Sequence, residues 1–292
     1  MRILITGASG MLATQIIKDL KRGHSEIGEL PASMKNAEIL AHDADTLDIT
    51  DNLACRAFFA ENVPDICINC AAYTNVDGCE ENSLEAFKVN AMGARNLARA
   101  CELVGAKLVH ISTDYVFSGS GSTPFCEYDL AAPQSVYGKT KLAGETFVEQ
   151  FCSKYFVVRT AWLYGYNGKN FVKTITAAGK EKDELKVVDD QRGNPTNAAD
   201  LSHHILKLAP TCEYGIYHCT GEGECSWYDF AKEIVALSGG KAKVLPCAPG
   251  EIKRAAKRPE YSCLENMMLK ATVGNDMRNW KVALKAYFEN QE

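Results

Sequence analysis

The N-terminal segment places a glycine turn between a short apolar strand and an apolar helix. Residues 1–6 have the composition of a buried parallel strand, and residues 11–20 follow a helical pattern. Between them, Gly7 permits a tight turn, and Gly10 lets the backbone approach a pyrophosphate. The phosphate charge would meet the free N–H groups at the helix start. Ala13 fills the third small position, and the whole pattern predicts a dinucleotide-binding fold.

Strand-like and helix-like segments alternate through the first half of the chain. Such alternation predicts a parallel sheet with helices on both faces, because parallel strands need crossover connections. The carboxyl ends of these strands then share one edge, where a nucleotide binds. The predicted strands are 2–6, 38–42, 66–70, 107–112 and 156–160. The predicted helices are 11–21, 52–62, 84–104 and 136–151.

The second half predicts a less regular arrangement. We expect a strand at 185–189, a helix at 198–208, a strand at 215–219 that returns to the main sheet, a helix at 226–238 and a loop at 241–259. The fold class is therefore α/β, with a Rossmann-type doubly wound parallel sheet and a smaller α/β substrate-binding lobe from the C-terminal half. Residues 1–160 with about 195–220 would form the nucleotide-binding domain, and about 161–194 with 221–292 the lobe.

Composition narrows the class of protein and its partners. The chain has 292 residues, 46% of them hydrophobic, and a formal charge of −5 without a long basic run. These features argue against a nucleic-acid or anionic-membrane partner. No apolar run reaches membrane-spanning length, and the first strand follows Met1 directly, so a cytoplasmic protein is expected. The sequence leaves a monomer and a homodimer equally open.

The twelve cysteines are scattered through predicted strands and helices, which favours reduced, buried thiols over a disulfide framework. Cys67 and Cys70 are three apart on a predicted strand, so their side chains should point to opposite faces and not share a metal. His203 and His204 have no partner at ligand spacing on the same helical face. We therefore expect no metal ligands.

Tyr137 and Lys141 lie four residues apart on a predicted helix, downstream of Ser112-Thr113-Asp114. Their side chains are therefore neighbours on one face. An adjacent ammonium favours the phenolate, so it should lower the pKa of Tyr137 and make that residue a proton donor near neutral pH. By itself, this spacing is more typical of two surface neighbours.

Several segments in this order resemble the extended short-chain dehydrogenase/reductases over essentially the whole chain. Beyond the glycine turn, they are Asn69-Cys70-Ala71-Ala72-Tyr73-Thr74-Asn75-Val76-Asp77, Asn90 before Gly93-Ala94-Arg95-Asn96-Leu97, Ser112-Thr113-Asp114-Tyr115-Val116-Phe117, Tyr137-Gly138-Lys139-Thr140-Lys141, Arg159-Thr160-Ala161-Trp162-Leu163-Tyr164-Gly165, Asp190-Gln191-Arg192-Gly193-Asn194-Pro195-Thr196 and Arg258-Pro259. The chain departs from the family at Met11, usually Gln, and at Ala13, usually Gly.

The resemblance implies NAD(P)H-dependent reduction of the C4 ketone of dTDP-4-dehydro-L-rhamnose to dTDP-L-rhamnose, the last step of dTDP-L-rhamnose biosynthesis. It implies that Tyr137 protonates the C4 oxygen and that Lys141 tunes Tyr137 and binds the nicotinamide ribose. A hydroxyl donor stabilises the developing alkoxide. The family pattern favours Thr113 for this role, with Ser112 as the competing choice.

The resemblance also implies two sets of binding residues. The cofactor set is Gly7, Gly10, Met11, Leu12, Asp43, Asp48, Ile49, Ala71, Ala72, Tyr73, Tyr137 and Lys141. The substrate set is Thr113, Asp114, Tyr115, Trp162 and Arg258. Trp162 would stack on the base and Arg258 would bind the diphosphate, although an ordinary core aromatic and a solvated charge beside Lys257 are the respective alternatives.

The cofactor is predicted to be NADPH or NADH. Asp43 ends the second strand, where its carboxylate can accept hydrogen bonds from the adenosine ribose hydroxyls and repel a 2′-phosphate, which favours NADH. No arginine follows it, yet the family commonly takes either cofactor. Mg²⁺ accompanies some members, but the sequence assigns it no ligands, because Glu80 and Glu81 fit a solvated helix start.

Other activities remain open at this point. The related 4,6-dehydratases carry a Glu after the Thr-Asp pair, and this chain has Tyr115 there, so elimination lacks its base. A reductase or epimerase of another nucleotide sugar is one alternative. The other is a non-catalytic, NADP-binding regulatory subunit like that of methionine adenosyltransferase.

Overall fold

The computed structural model describes residues 1–247, 251 and 254–290, which form an α/β fold. The strands in chain order are β1 (Arg2–Thr6), β2 (Glu38–His42), β3 (Ile66–Asn69), β4 (Lys107–Thr113), β5 (Tyr155–Thr160), β6 (Leu163–Tyr164), β7 (Glu184–Val188), β8 (Arg192–Gly193), β9 (Thr196–Asn197), β10 (Gly215–His218), β11 (Cys225–Ser226) and β12 (Lys243–Cys247).

The helices are α1 (Met11–Arg22), α2 (Asn52–Asn62), α3 (Val76–Glu81), α4 (Ser83–Phe87), α5 (Ala94–Val104), α6 (Val136–Phe151), α7 (Phe171–Glu181), α8 (Ala198–Leu208), α9 (Trp227–Leu237), α10 (Met267–Ala271) and α11 (Trp280–Glu289). A π-helical turn covers Lys88–Gly93, and 3-10 turns cover Ala32–Met34 and Asp114–Val116.

The central sheet has six parallel strands in the order β10-β5-β4-β3-β1-β2. The chain adds β2 on one side of β1 and β3 on the other. The strand order therefore reverses between β1 and β3, and ligands of open α/β sheets bind at such a switch point. The prediction that 215–219 returns to this sheet is confirmed, because β10 pairs in parallel with β5.

Helices bury apolar residues on both faces of the sheet. On one face, Ile16 of α1 and Ile205 of α8 pack against Ile3 and Ile5. On the other face, residues of α2, α5 and α6 pack around Leu4 and its neighbours: Phe59, Leu97 and Val148. A parallel sheet buried on both faces is the doubly wound arrangement, so the predicted fold class is confirmed.

A further apolar core lies in the C-terminal half. It is built from α7, α9, α11 and β7, with Ile175, Phe230, Leu284 and Leu185 among its buried members. The predicted loop at 241–259 is wrong for its first part, because β12 pairs in parallel with β7. Residues 248–250 and 252–253 of that prediction lie outside the described residues. The division of the chain into two domains stays a prediction.

The predicted helix at 84–104 is interrupted, because a π-helical turn separates α4 from α5. Asn90 lies in that turn with its side chain buried. Its amide accepts from the backbone N–H of Tyr73 at 2.8 Å and donates to the Tyr73 carbonyl at 3.1 Å and to Thr140 at 3.1 Å. The widened turn thus ties the loop after β3 to α6, and such π-turns are frequent at functional sites.

The cysteines are all free thiols. Cys67 is buried in the core on one face of the sheet, and Cys70 packs against the core on the other, as the strand pattern predicts. His203 and His204 are both buried. His203 is hydrogen-bonded to the Ser25 hydroxyl, and His204 to the Asp200 carbonyl. Among the described residues, no three His, Cys, Asp or Glu side chains could hold a metal. In the same part of the chain, no helix is long and apolar enough to cross a bilayer.

Candidate active site

A large cavity of about 780 Å³ runs along the carboxyl edge of the sheet. In the order of the strands, this edge carries Asp43 after β2, Gly7 after β1, Ala71 after β3, Thr113 at the end of β4 and Trp162 after β5. Adjacent strands are about 4.8 Å apart, so four steps across the sheet span roughly 19 Å. The cavity is therefore elongated across five strand ends, as an extended dinucleotide-plus-substrate site requires.

The glycine turn lies at the switch point between β1 and β3. Gly7 has φ +65°, and a Cβ there would lie 2.8 Å from the Cα of Ala71, so only glycine fits. Gly10 donates to the Gly7 carbonyl at 2.9 Å and forms the N-cap of α1. No described side chain caps this helix start, which leaves its N–H groups free for an anion.

Asp43 and Asp48 stand at the far end of the cavity. The carboxylate of Asp43 accepts from the backbone N–H of Ser9 at 3.1 Å and from the Ser9 hydroxyl at 3.1 Å. Asp48 accepts from the backbone and the hydroxyl of Thr50, both at 2.8 Å, and these bonds lower the pKa of its carboxyl. Asp43 is thus held against the glycine turn as an acceptor.

Tyr137, Thr113 and Asp114 meet in the middle of the cavity. The Thr113 hydroxyl donates to Asp114 Oδ1 at 2.9 Å and accepts from the backbone N–H of Tyr115 at 3.2 Å. The ring of Tyr115 packs edge-on against Tyr137, with centroids 5.5 Å apart. Burial raises the pKa of Asp114 to about 6, against the lowering effect of the Ser262 and Thr113 hydroxyls, and no described residue forms a hydrogen bond with its Oδ2. An orphaned buried acceptor of this kind marks a place for a ligand donor.

Burial raises the pKa of Tyr137 above its ordinary value, and a hydrogen bond with Thr113 only partly opposes the rise. The predicted lowering by Lys141 is therefore wrong for this structure. The Lys141 Nζ donates to the Ile111 carbonyl at 2.6 Å, and desolvation lowers the pKa of Lys141 to about 8. The two side chains share a helix face, but the ammonium is held by β4 instead of by the phenol.

Ser112 belongs to a different buried network. Its hydroxyl donates to Glu145, which also accepts from Arg159 with a closest distance of 2.7 Å. Both charged side chains are almost fully buried and pair with each other. Ser112 lines the cavity, but its hydroxyl belongs to the buried Glu145–Arg159 pair, whereas Thr113 is the hydrogen-bond partner of Tyr137, which favours Thr113 for the hydroxyl role.

An aromatic wall closes the end of the cavity beyond β5. Trp162 stacks on Trp227, with centroids 3.6 Å apart, and both line the cavity. Trp162 has φ +47°, a left-handed conformation that costs about 1–3 kcal/mol in a residue other than glycine. Gly193 lies against the indole edge, where any Cβ would overlap the ring. Trp162 is therefore a half-buried wall residue and not an ordinary core aromatic.

Arg258 and Tyr73 lie outside the cavity lining. The Arg258 guanidinium donates to Asp77 at 2.7 Å, and its Nη1 is buried without a partner in the described structure. It is paired and only 12% exposed, so the solvated-charge alternative does not hold. Tyr73 is tied through its backbone to Asn90. The expected helix start at Glu80 and Glu81 is wrong, because both residues end α3; Glu80 accepts from the backbone N–H of Val136, the first residue of α6.

The whole chain matches one family model. The model described as RmlD substrate binding domain matches residues 1–292. The chain belongs to the RmlD substrate-binding-domain family. Its membership confirms the family predicted from the sequence.

Relatives of this RmlD-domain chain align over nearly their full length. A dTDP-4-dehydrorhamnose reductase of Streptomyces griseus is 41% identical over 98% of this chain and 93% of its own. A crystal structure of a dTDP-4-dehydrorhamnose reductase from Clostridium acetobutylicum is 52% identical, with a TM-score of 0.93 and 99% of each chain covered. A dTDP-4-dehydrorhamnose reductase from Bacillus anthracis, solved in complex with NADP, is 44% identical, with a TM-score of 0.91, covering 99% of this chain and 98% of that one.

The structure brings most predicted site residues of this RmlD-domain chain into one cavity. The lining includes Gly7, Gly10, Met11, Leu12, Asp43, Asp48, Ile49, Ala71, Ala72, Thr113, Asp114, Tyr115, Tyr137, Lys141 and Trp162. Sequence reasoning missed Ser9, Lys169 and Trp227, which also line it. Ser9 lies inside the glycine turn and could have been found there. Trp227 begins a helix far along the chain, and no local signal connects it to Trp162.

Proposed function

We propose that this chain is an NAD(P)H-dependent dTDP-4-dehydrorhamnose reductase, which converts the C4 ketone of dTDP-4-dehydro-L-rhamnose into the alcohol of dTDP-L-rhamnose. The observation that carries the proposal is the meeting of Tyr137, Thr113 and Asp114 midway between the glycine turn and the Trp162–Trp227 wall. A proton donor thus stands between a phosphate-binding turn and an aromatic platform. The names of the similar reductases agree with this chemistry.

The described residues fit a nicotinamide dinucleotide. The uncapped start of α1 and the close approach of Gly7 to Ala71 suit a pyrophosphate. Asp43 suits the adenosine ribose, and Lys141 suits the nicotinamide ribose. A bound reduced nicotinamide supplies the hydride. Both NADH and NADPH are expected to serve, and the NADP complex of the Bacillus anthracis protein supports the second.

Tyr137 supplies the proton in this proposal. Its raised pKa keeps the phenol protonated until negative charge develops on the ketone oxygen, and an alkoxide is basic enough to take that proton. One hydride on carbon and one proton on oxygen convert the ketone into an alcohol. The phenolate left on Tyr137 lies beside the Thr113 hydroxyl, which can share its charge by turning its proton from Asp114 to the phenolate oxygen.

Thr113 and Asp114 act as a positioned pair. The single hydroxyl proton of Thr113 points to Asp114, and the Tyr115 N–H fixes the Thr113 oxygen. The free Oδ2 of Asp114 is an acceptor that a sugar hydroxyl can satisfy. Tyr115 offers a ring where the dehydratases carry a carboxylate, so the site supports reduction and has no base for elimination. Trp162 supplies a stacking surface for the nucleotide sugar.

The test is turnover with the named substrate. The purified protein is mixed with dTDP-4-dehydro-L-rhamnose generated in situ and with NADH or NADPH, and the loss of reduced cofactor is followed optically. The product is identified by mass spectrometry and NMR, and dTDP-L-rhamnose is expected. Cofactor binding without oxidation would move the assignment to another nucleotide sugar or to a binding subunit, which co-purification with a synthetase would reveal.

A further inference from the structure

A buried chain of polar side chains leads from the sheet interior to Lys141. It runs from Thr6 through Asn69 and His110 to the lysine, and Asn69, His110 and Lys141 are all at most 2% exposed. Buried polar groups are expensive unless every donor meets an acceptor. The hydrogen positions along this chain are therefore fixed by what each neighbour can accept.

The amide of Asn69 has only one workable orientation. Its Oδ1 lies 3.1 Å from the backbone nitrogen of Ala71, and a backbone N–H can only donate. The hydroxyl of Thr6 also donates to Oδ1, at 2.8 Å. The Nδ2 group of Asn69 must then face His110 Nδ1, which lies 3.0 Å away.

His110 is locked in one tautomer as a result. An amide NH₂ is a donor only, so Nδ1 of His110 must accept and carries no proton. Burial and the nearby Lys141 lower the pKa of His110 well below its ordinary value, which keeps the ring neutral. The remaining ring proton is therefore on Nε2, and Nε2 faces the Lys141 Nζ at 3.5 Å.

Two N–H groups facing each other disfavour a charged lysine. An ammonium offers no lone pair to the His110 proton, whereas a neutral amine accepts it and can still donate to the Ile111 carbonyl. Other groups act on Lys141 from the elements around it. Glu145 on α6 favours the charged form, but its carboxylate is already shared with Arg159 and Ser112. Cys70 after β3 also faces Lys141, but burial raises the pKa of its thiol to about 12, so it is neutral where the lysine titrates.

We propose that His110 is a positioning residue that sets the proton affinity of Lys141, through a tautomer imposed by Asn69. This inference rests on the proposed function, because it concerns the lysine of that site. His110 touches neither substrate nor cofactor in this scheme. It defines the alkaline pH at which Lys141 loses its proton, and hence the alkaline limit of the reaction.

The first test reads the tautomer directly in the unmodified protein. Long-range ¹⁵N–¹H NMR of ¹⁵N-histidine-labelled protein separates a bare Nδ1 from a protonated one, and the His110→Gln variant identifies the signal among the six histidines. A bare Nδ1 and a protonated Nε2 are expected. The opposite tautomer, or a charged ring at neutral pH, would overturn the proposal whether or not the protein reduces any sugar.

The second test reverses the tautomer. In Asn69→Asp the new carboxylate should draw the proton to Nδ1, leave Nε2 as an acceptor, and raise the titration midpoint of Lys141 by about one unit or more. The midpoint is read from ¹³Cε-lysine signals, with Lys141→Arg for identification. The same change made in the His110→Gln background should raise it much less. An equal rise in both backgrounds would show a simple charge effect and sink the proposal.

A matched control and a kinetic readout complete the design. His24→Gln removes a histidine far from Lys141 and should leave the Lys141 midpoint unchanged. His110→Gln should raise the titration midpoint of Lys141. If the proposed function holds, the alkaline limb of the kcat/KM profile of this variant should move to higher pH by a similar amount. A protein without turnover leaves both NMR measurements valid, so failure of the function and failure of this inference are distinguishable.

Discussion

The indole rings of Trp162 and Trp227 lie face to face, with planes 7° apart. Trp227 is the first residue of α9 and packs against the C-terminal core, whereas Trp162 lies two residues after the end of β5. The contact therefore joins the edge of the sheet to the second core. It also holds Trp162 in its left-handed backbone conformation, with one ring face covered by a partner instead of by water.

Replacing Trp227 should loosen that wall. In Trp227→Leu the stacking partner is lost, and an aromatic pair contributes about 0.5–1.5 kcal/mol beyond its buried area. The KM for the nucleotide sugar should rise about 3- to 10-fold with a smaller change in kcat. In Trp227→Phe, which keeps an aromatic ring, the KM should stay close to that of the wild type. Tyr228→Leu, one residue along the same helix and outside the cavity lining, is the control. An unchanged KM in Trp227→Leu would contradict a role for the stack in substrate binding.

Removing the Tyr137 hydroxyl should abolish most turnover. Tyr137→Phe keeps the edge-on contact with Tyr115 but has no proton to give, so kcat should fall about 10²- to 10⁴-fold. Cofactor binding, measured by calorimetry, should stay near normal. Tyr128→Phe, at an exposed tyrosine, serves as the control. Near-normal turnover in Tyr137→Phe would show that another group is the acid.

The charge at Asp43 should govern cofactor choice. Asp43→Asn keeps an oxygen for Ser9 but removes a negative charge next to the adenosine ribose. The ratio of kcat/KM with NADPH to that with NADH should rise, because a 2′-phosphate no longer meets a carboxylate. Asp45→Asn removes a nearby exposed charge that does not line the cavity, and should change the ratio little. An equal effect of both variants would indicate only a general change in surface charge.

A pH-dependent destabilisation is expected from Asp19. Burial raises the pKa of this carboxyl from 3.8 to about 6, opposed by hydrogen bonds from Ser202 and Gln15. The folded state therefore binds the proton more tightly than the unfolded state. The stabilisation is fully present below pH 3.8 and is lost as the pH rises to about 6.

Denaturation of the wild type and of Asp19→Asn at several pH values tests this. Relative to Asp19→Asn, the wild type should lose about 2–3 kcal/mol of unfolding free energy between pH 4 and pH 7. A difference that stays constant with pH would mean that the pKa of Asp19 is the same in the folded and unfolded states, and would contradict this prediction.

The parts of the fold that the sequence predicts well are those determined by local pattern. The strand at Arg2–Thr6 and the helices at Asn52–Asn62 and Val136–Phe151 have the predicted bounds, because apolar period and turn residues fix them. The helix across Asn90 could not be predicted as interrupted. Its π-turn exists because the Asn90 amide bonds to Tyr73 and Thr140, and those contacts form only in the folded chain.

The same distinction holds for the site. The positions of Tyr137 and Thr113 follow from motif and strand order, whereas the direction of the Tyr137 pKa does not. Helical spacing places Lys141 beside Tyr137, but the Ile111 carbonyl on β4 takes the Lys141 ammonium, and burial then dominates. The role of His110 could not be predicted from the sequence either, because its tautomer depends on Asn69, which lies on the neighbouring strand.

The position of β10 at the edge of the sheet has a consequence for synthesis. When residue 160 has left the ribosome, β5 is complete, but its outer row of N–H and C=O groups stays unpaired until residues 161–218 have been made. An open strand edge is a template for pairing with another chain. A nascent or truncated chain that ends before residue 215 is therefore expected to aggregate through β5, although its glycine turn and its tyrosine helix are already complete.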